Sequence, residues 1–139
     1  MEITVFLENE YTPEWNGNKE KAKPIIIEHR EPSMKLQSQL LQKPQVRFKI
    51  GADGTTEGGE ADATIDPEKI VKGMVTGIRN LDIKRVQKSA DGKENIRSVV
   101  TAADLFTDWV PASLSGLVNE LAKYFQAILQ KDVDSKNSE

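Results

Sequence analysis

The 139 residues are 37% hydrophobic and 29% charged with a net charge of −3, which describes one soluble domain built on a single core. A slight acidic excess works against neutralising phosphates, so nucleic-acid binding is disfavoured, and the absence of cysteine removes disulfides, thiol nucleophiles and Cys-ligated zinc. One histidine, His29, leaves little for a metal site or a His-dependent triad, and no apolar run of about 18 residues suggests a membrane span.

The first residues, Met1-Glu2-Ile3-Thr4-Val5, do not read as a basic and then apolar leader, so an intracellular chain is expected. Ile3-Thr4-Val5-Phe6-Leu7 is β-branched and aromatic, and Ile25-Ile26-Ile27 follows Pro24. These predict strands over 3–8 and 24–29, paired antiparallel and joined by a long polar loop with a turn at Asn16-Gly17. Such a ribbon is marginal alone, so helices must cover one face. Ser33 caps a predicted helix with the stripe Met34, Gln37, Leu40 and Leu41, ended by Pro44. Val46, Phe48 and Ile50 alternate with Arg47 and Lys49, giving either a third strand or an extended arm.

Residues 51–63 hold four glycines and no large apolar side chain, which predicts a mobile loop. Asp66-Pro67-Glu68 then starts a helix whose buried face is Ile70, Val71, Met74, Val75 and Ile78. Gly73 and Gly77 either weaken it or admit a close neighbour. Leu81, Ile83 and Val86 are read as extended, 90–93 as a turn, and Ile96, Val99 and Val100 as its continuation. Thr101-Ala102-Ala103-Asp104 resembles a capping box opening a brief helix over 101–108 that presents Leu105 and Phe106 to the core, with Trp109 in the core as well. A final amphipathic helix is predicted over 112–132 from Leu114, Leu117, Val118, Leu121, Phe125, Ile128 and Leu129. The expected architecture is α+β in one domain, 1–132, with short antiparallel N-terminal strands packed by about four helices and a polar disordered tail over 133–139.

Chemistry is sparse. Ala52-Asp53-Gly54 and Ala90-Asp91-Gly92 fail as calcium loops, because the first ligand positions fall on Lys49 and Gln87. Gly58-Gly59 lacks the Lys-Ser/Thr ending of a phosphate loop, and Ser113 and Ser115 sit in no nucleophile elbow. The carboxylates Glu57, Glu60 and Asp62 belong to the predicted loop, whereas acid–base work needs rigid placement. His29 reads as structural or exposed; Trp15 reads equally as an interface anchor or a lid on the core. Residues 51–69 carry six acids and one base, and 72–97 carry seven bases and three acids, either two solvated faces or a head-to-tail attraction between copies. These readings favour a binding protein without catalytic residues, metal or cofactor.

Several segments together resemble a known family: Ile25 to Ser33, Asp91-Gly92, Thr101 to Phe106, Val110 to Leu114, Leu117 to Leu121, and the polar Lys136-Asn137-Ser138. They are similar to the tail assembly chaperones and related tail-morphogenesis proteins of long-tailed bacteriophages and prophages. The last 60 residues carry most of the resemblance. It implies a non-enzymatic, self-associating protein of the bacterial host cytoplasm that binds and solubilises the tape-measure protein until tail-tube subunits assemble around it. It implies no nucleic-acid or membrane partner, and partner contact through Trp15, Leu117, Leu121, Tyr124, Phe125 and Ile128 in a helix-in-groove mode. Such families often make a longer frameshifted form, and Ser135-Lys136-Asn137 admits slippery codons. A virion component of the tail or head–tail connector, and a small intracellular adaptor, are the alternatives.

Overall fold

The computed structural model describes residues 1–41, 45–50, 56–62, 66–89 and 91–137, with backbone alone for 45–50, 56–62 and 131–137. The fold is mixed α+β, as the patterning predicts. Its main sheet is antiparallel in the order β1 (Asn9–Tyr11), β2 (Ile26–His29), β5 (Val75–Arg79). The first strand therefore lies later than expected: Asn9 to Tyr11 pair with His29 to Ile27, while Ile3 to Leu7 stand outside the sheet and exposed. The reason lies in β2. After His29 the chain turns away: the Arg30 N–H donates to the Met74 carbonyl at 3.0 Å, and Pro32-Ser33 starts a helix. Among the described residues, no strand pairs with residues 3–7.

The polar loop between β1 and β2 is ordered by one side chain. Asn18, 1% exposed, accepts from the Ile25 N–H at 2.7 Å and donates to the carbonyls of Pro13 and Ile25 at 2.9 and 3.0 Å. The predicted turn at Asn16-Gly17 has both residues in the left-handed region, φ 52° and 69°, within a 3-10 segment over Trp15–Glu20.

Helix α1 (Met34–Leu40) is capped as predicted, with Ser33 Oγ accepting from the Leu36 N–H at 3.0 Å. Leu40 is its buried anchor, whereas Met34 faces solvent and Gln37 donates to the Leu129 carbonyl at 2.6 Å. Helix α2 (Pro67–Met74) starts on Asp66, whose Oδ1 accepts from the N–H groups of Glu68 and Lys69. All five residues of its predicted face are buried, but Val75 and Ile78 belong to β5, not to the helix. Their i, i+3 spacing imitates a helical stripe. A register shift opposite Glu28/His29 lets both face the core from a strand instead. Gly73 serves close packing: a Cβ there would sit 2.8 Å from Leu40 Cδ2.

Over 45–62 the strand alternative holds and the loop reading does not. Gln45–Ile50 (β3) is a strand, and Thr56–Asp62 (β4), predicted as part of a mobile loop, pairs with it antiparallel as a separate two-stranded sheet. Backbone pairing needs N–H and C=O groups, not apolar side chains, so poverty in large residues does not forbid a ladder. Residues 51–55 and 63 of the predicted loop lie outside the described residues.

Strands β6 (Asp82–Gln87) and β7 (Lys93–Ser98) form a hairpin whose turn sets Asp91 and Gly92 at φ 51° and 69°. Its base is tied to the main sheet by Val99 N–H to Leu81 carbonyl at 2.8 Å and Ile78 N–H to Val100 carbonyl at 2.9 Å. The capping box at Thr101 is formed: Thr101 Oγ1 accepts from the Asp104 N–H, and Asp104 Oδ2 accepts from Val100 and Thr101 N–H, both at 3.1 Å. Those donors hold the Asp104 carboxyl below its ordinary value. It opens only a 3-10 turn, Ala103–Phe106, where a helix over 101–108 was predicted. A 3-10 turn over Ala112–Leu114 leads into α3 (Ser115–Asn137), so the tail expected from 133 is helical through Asn137. Leu117, Leu121, Phe125 and Leu129 of α3 meet Ile70, Val71 and Met74 of α2 in one core over the sheet. Among the described residues no helix is long and apolar enough to cross a membrane.

Candidate interaction surface

The six residues expected to bind a partner fall into two groups. Leu117, Leu121 and Phe125 are fully buried, which corrects the reading of the α3 stripe as a free surface: α2 and the sheet already cover it. Tyr124, Ile128 and Trp15 are half-buried and pack against the same core. Trp15 is a lid. A Cβ at Gly116 would lie 2.9 Å from its Nε1, so the indole rests on the bare backbone at the start of α3.

Tyr124 joins an aromatic cluster that fastens the N-terminal segment to α3. Tyr11 stacks on it with ring centroids 3.8 Å apart and planes 10° from parallel. Glu120, one turn earlier, accepts from Tyr11 OH and from the Glu14 N–H, each at 2.9 Å. Burial first, and then the Glu120 carboxylate, push the Tyr11 phenol up to about 12; burial raises Tyr124 as well. These are the only two tyrosines in the chain. Tyrosinate absorbance of the folded protein should therefore rise only above pH 10, and urea-unfolded protein should titrate earlier. A native titration centred at pH 10 would contradict the cluster.

His29, buried on the other side of Tyr124, sits edge-on to Tyr124 and Phe125. Its Nδ1 faces the Arg30 carbonyl at 3.3 Å, which assigns the proton there and leaves Nε2 to accept from Tyr124 OH at 3.4 Å. This is the structural role the sequence allows for, and burial lowers the ring's pKa below the ordinary 6.5. The neutral form is then favoured in the fold while the unfolded chain takes up a proton at about 6.5. Stability should be at its plateau above that pH and fall as the solution is acidified toward the folded pKa. Melting temperatures from pH 8 to pH 5 measure this. In His29→Gln that part of the slope should vanish.

Trp109, expected in the core, is half-buried and covered by charge: the Arg85 and Arg97 guanidinium carbons lie 4.6 and 4.4 Å from its ring centroid. Arg85 also donates to the Asp108 carbonyl. Arg79 is held by Glu10 and Glu28, Lys84 pairs with Glu94 at 3.1 Å, and Lys72 with Glu68 at 2.8 Å. Three of the seven bases over 72–97 are thus ion-paired within the chain, and two more lie against Trp109.

One open, mainly apolar cleft of about 240 Å³ lies between the two 3-10 turns and the start of α3. Leu105, Phe106, Val110, Pro111, Leu114 and Val118 line it, and Ser115 and Asn119 stand among them as polar groups. Phe106, Val110 and Val118 are half-buried apolar residues here. Sequence reading assigned Leu105 and Phe106 to the core and named none of this set as a site. Pro111 was the available signal, since it breaks the chain beside the apolar stripe at the point where the cleft opens. Among the described residues no three His, Asp or Glu side chains are grouped to hold a metal. A comparison with protein-family models, curated proteins and solved structures finds no match to this chain in any of the three.

Proposed function

We propose that this chain is a non-enzymatic tail assembly chaperone of a long-tailed bacteriophage or prophage, binding the tape-measure protein and keeping it soluble in the bacterial cytoplasm before tail assembly. The observation that carries the reading is a coincidence of place. The open apolar cleft is lined from Leu105, Phe106, Val110, Pro111, Leu114 and Val118, within the stretch that bears the family resemblance. A space of about 240 Å³ with polar Ser115 and Asn119 beside it suits one or two large apolar side chains from an amphipathic helix. Tape-measure helices present such stripes. The role expected of the buried face of α3 moves to this cleft.

Co-expression with the tape-measure protein of the same genome tests it. The wild-type chain should keep that protein in the soluble fraction, and Phe106→Ser with Val118→Ser should not, with unchanged circular dichroism and melting as the check on folding. Failure of the wild-type chain to solubilise it would sink the reading. Sedimentation with purified particles separates the virion-component alternative, because a chaperone leaves the finished tail and a component stays.

A further inference from the structure

We propose that Tyr11 and Tyr124 are an oxidative cross-linking site, at which a one-electron oxidant joins the two rings by a carbon–carbon bond and ties the N-terminal segment to α3. The inference is independent of the cleft and of the proposed function. The chain has two tyrosines, near opposite ends of the sequence, and the fold lays one ring flat on the other with centroids 3.8 Å apart and planes 10° from parallel. Aromatic pairs ordinarily sit offset or edge-on with centroids about 4.5–7 Å apart, so this pair is close and flat. Each phenol also faces a base of its own. Tyr11 OH donates to the Glu120 carboxylate at 2.9 Å, and Tyr124 OH donates to His29 Nε2 at 3.4 Å. The His29 Nδ1 proton points to the Arg30 carbonyl, which leaves Nε2 able to take a proton.

That placement supplies what coupling needs. A phenol that loses an electron becomes a strong acid, and its proton needs an acceptor at hand: Glu120 for Tyr11, His29 for Tyr124. Two equivalents of oxidant therefore take two electrons, the two bases take two protons, and two neutral phenoxyl radicals are left in contact. The unpaired electron of each is shared among the oxygen and the ring carbons ortho and para to it. The para carbon carries the side chain, so the new bond forms between ortho carbons. The hydrogen on each of those carbons then moves through water to the oxygen of its own ring, and Glu120 and His29 release their protons to solvent. The product is dityrosine, lighter than the two residues by two hydrogen atoms. Because the fold has already gathered the rings, coupling within one chain outruns encounter between chains.

The full chain, as an equal mixture of isotopically heavy and light protein, is oxidised in dilute solution with ruthenium(III) tris-bipyridine generated by light and persulfate. Dityrosine fluorescence should appear, and digestion should yield joined Tyr11 and Tyr124 peptides that are wholly heavy or wholly light. The cross-linked protein should melt higher, because the link restricts the unfolded chain. Tyr11→Phe and Tyr124→Phe keep the rings and should each abolish the fluorescence. Glu120→Gln keeps both phenols but removes one base, so coupling should slow about tenfold or more while near-ultraviolet circular dichroism shows the rings still stacked. Oxidation of Trp15 and Trp109 with the tyrosines uncoupled, joined peptides of mixed label, or an equal yield from urea-unfolded protein would each overturn the proposal. An unchanged rate in Glu120→Gln would remove Glu120 as the base.

Discussion

Phe125→Ala should cost about 3–5 kcal/mol, close to the whole stability of many domains of this size. Phe125 is fully buried, sits among Leu121, Leu129 and the α2 side chains, and meets the rings of His29 and Tyr124 edge-on at 5.2 and 5.3 Å. Truncation removes apolar area from the one place where sheet, α2 and α3 meet, and it opens a cavity that three rigid elements cannot collapse into. It also strips the apolar wall from His29, so the ring regains hydration. The melting temperature should fall by more than about 10 °C. Ile96→Ala on β7 makes the contrast: Ile96 is 62% exposed, and its removal should change stability by about 0.5 kcal/mol or less. A loss below about 1 kcal/mol for Phe125→Ala would mean that this residue is not core.

The contrast also shows which parts of the fold could be read from the chain. Caps were legible because their chemistry is local: Ser33, Asp66 and the Thr101/Asp104 box each bond N–H groups within four residues. The stripe of α3 was legible because burial repeats at helical spacing over several turns. The hairpin turn at Asp91-Gly92 was legible because left-handed residues are scarce. What failed depended on partners remote in sequence. Ile3 to Leu7 have the composition of a strand but no strand partner among the described residues. Val75 and Ile78 have helical spacing, and only a bulge against β2 reveals them as strand. The candidate site was the least legible part. A buried stripe and a binding stripe have the same residues at the same spacing, so Leu117, Leu121 and Phe125 could not be told from a docking face until α2 was placed over them. The cleft beside Phe106 and Val118 is a gap, and a gap has no residue pattern of its own.

Asn18 was read only as part of a polar loop, and it carries the second large prediction. Its side chain makes three buried bonds, to the Ile25 N–H and to the Pro13 and Ile25 carbonyls. Asn18→Ala would leave all three backbone groups without partner or water, at about 1–3 kcal/mol for each that stays dry. A loss of about 3 kcal/mol is expected, with fast exchange of the Ile25 amide hydrogen as the local signature. Asn18→Asp separates lost bonds from lost volume. The carboxylate can still accept from Ile25 N–H, but its second oxygen would face two carbonyl oxygens where the amide had donated. Burial and that repulsion raise the introduced carboxyl's folded pKa above its unfolded value near 3.9. The folded state then binds a proton more readily, so this variant should recover stability as pH falls from 7 toward 4, whereas Asn18→Ala should not. Parallel pH responses in the two variants would show that shape, and not hydrogen bonding, makes Asn18 hold the loop between β1 and β2.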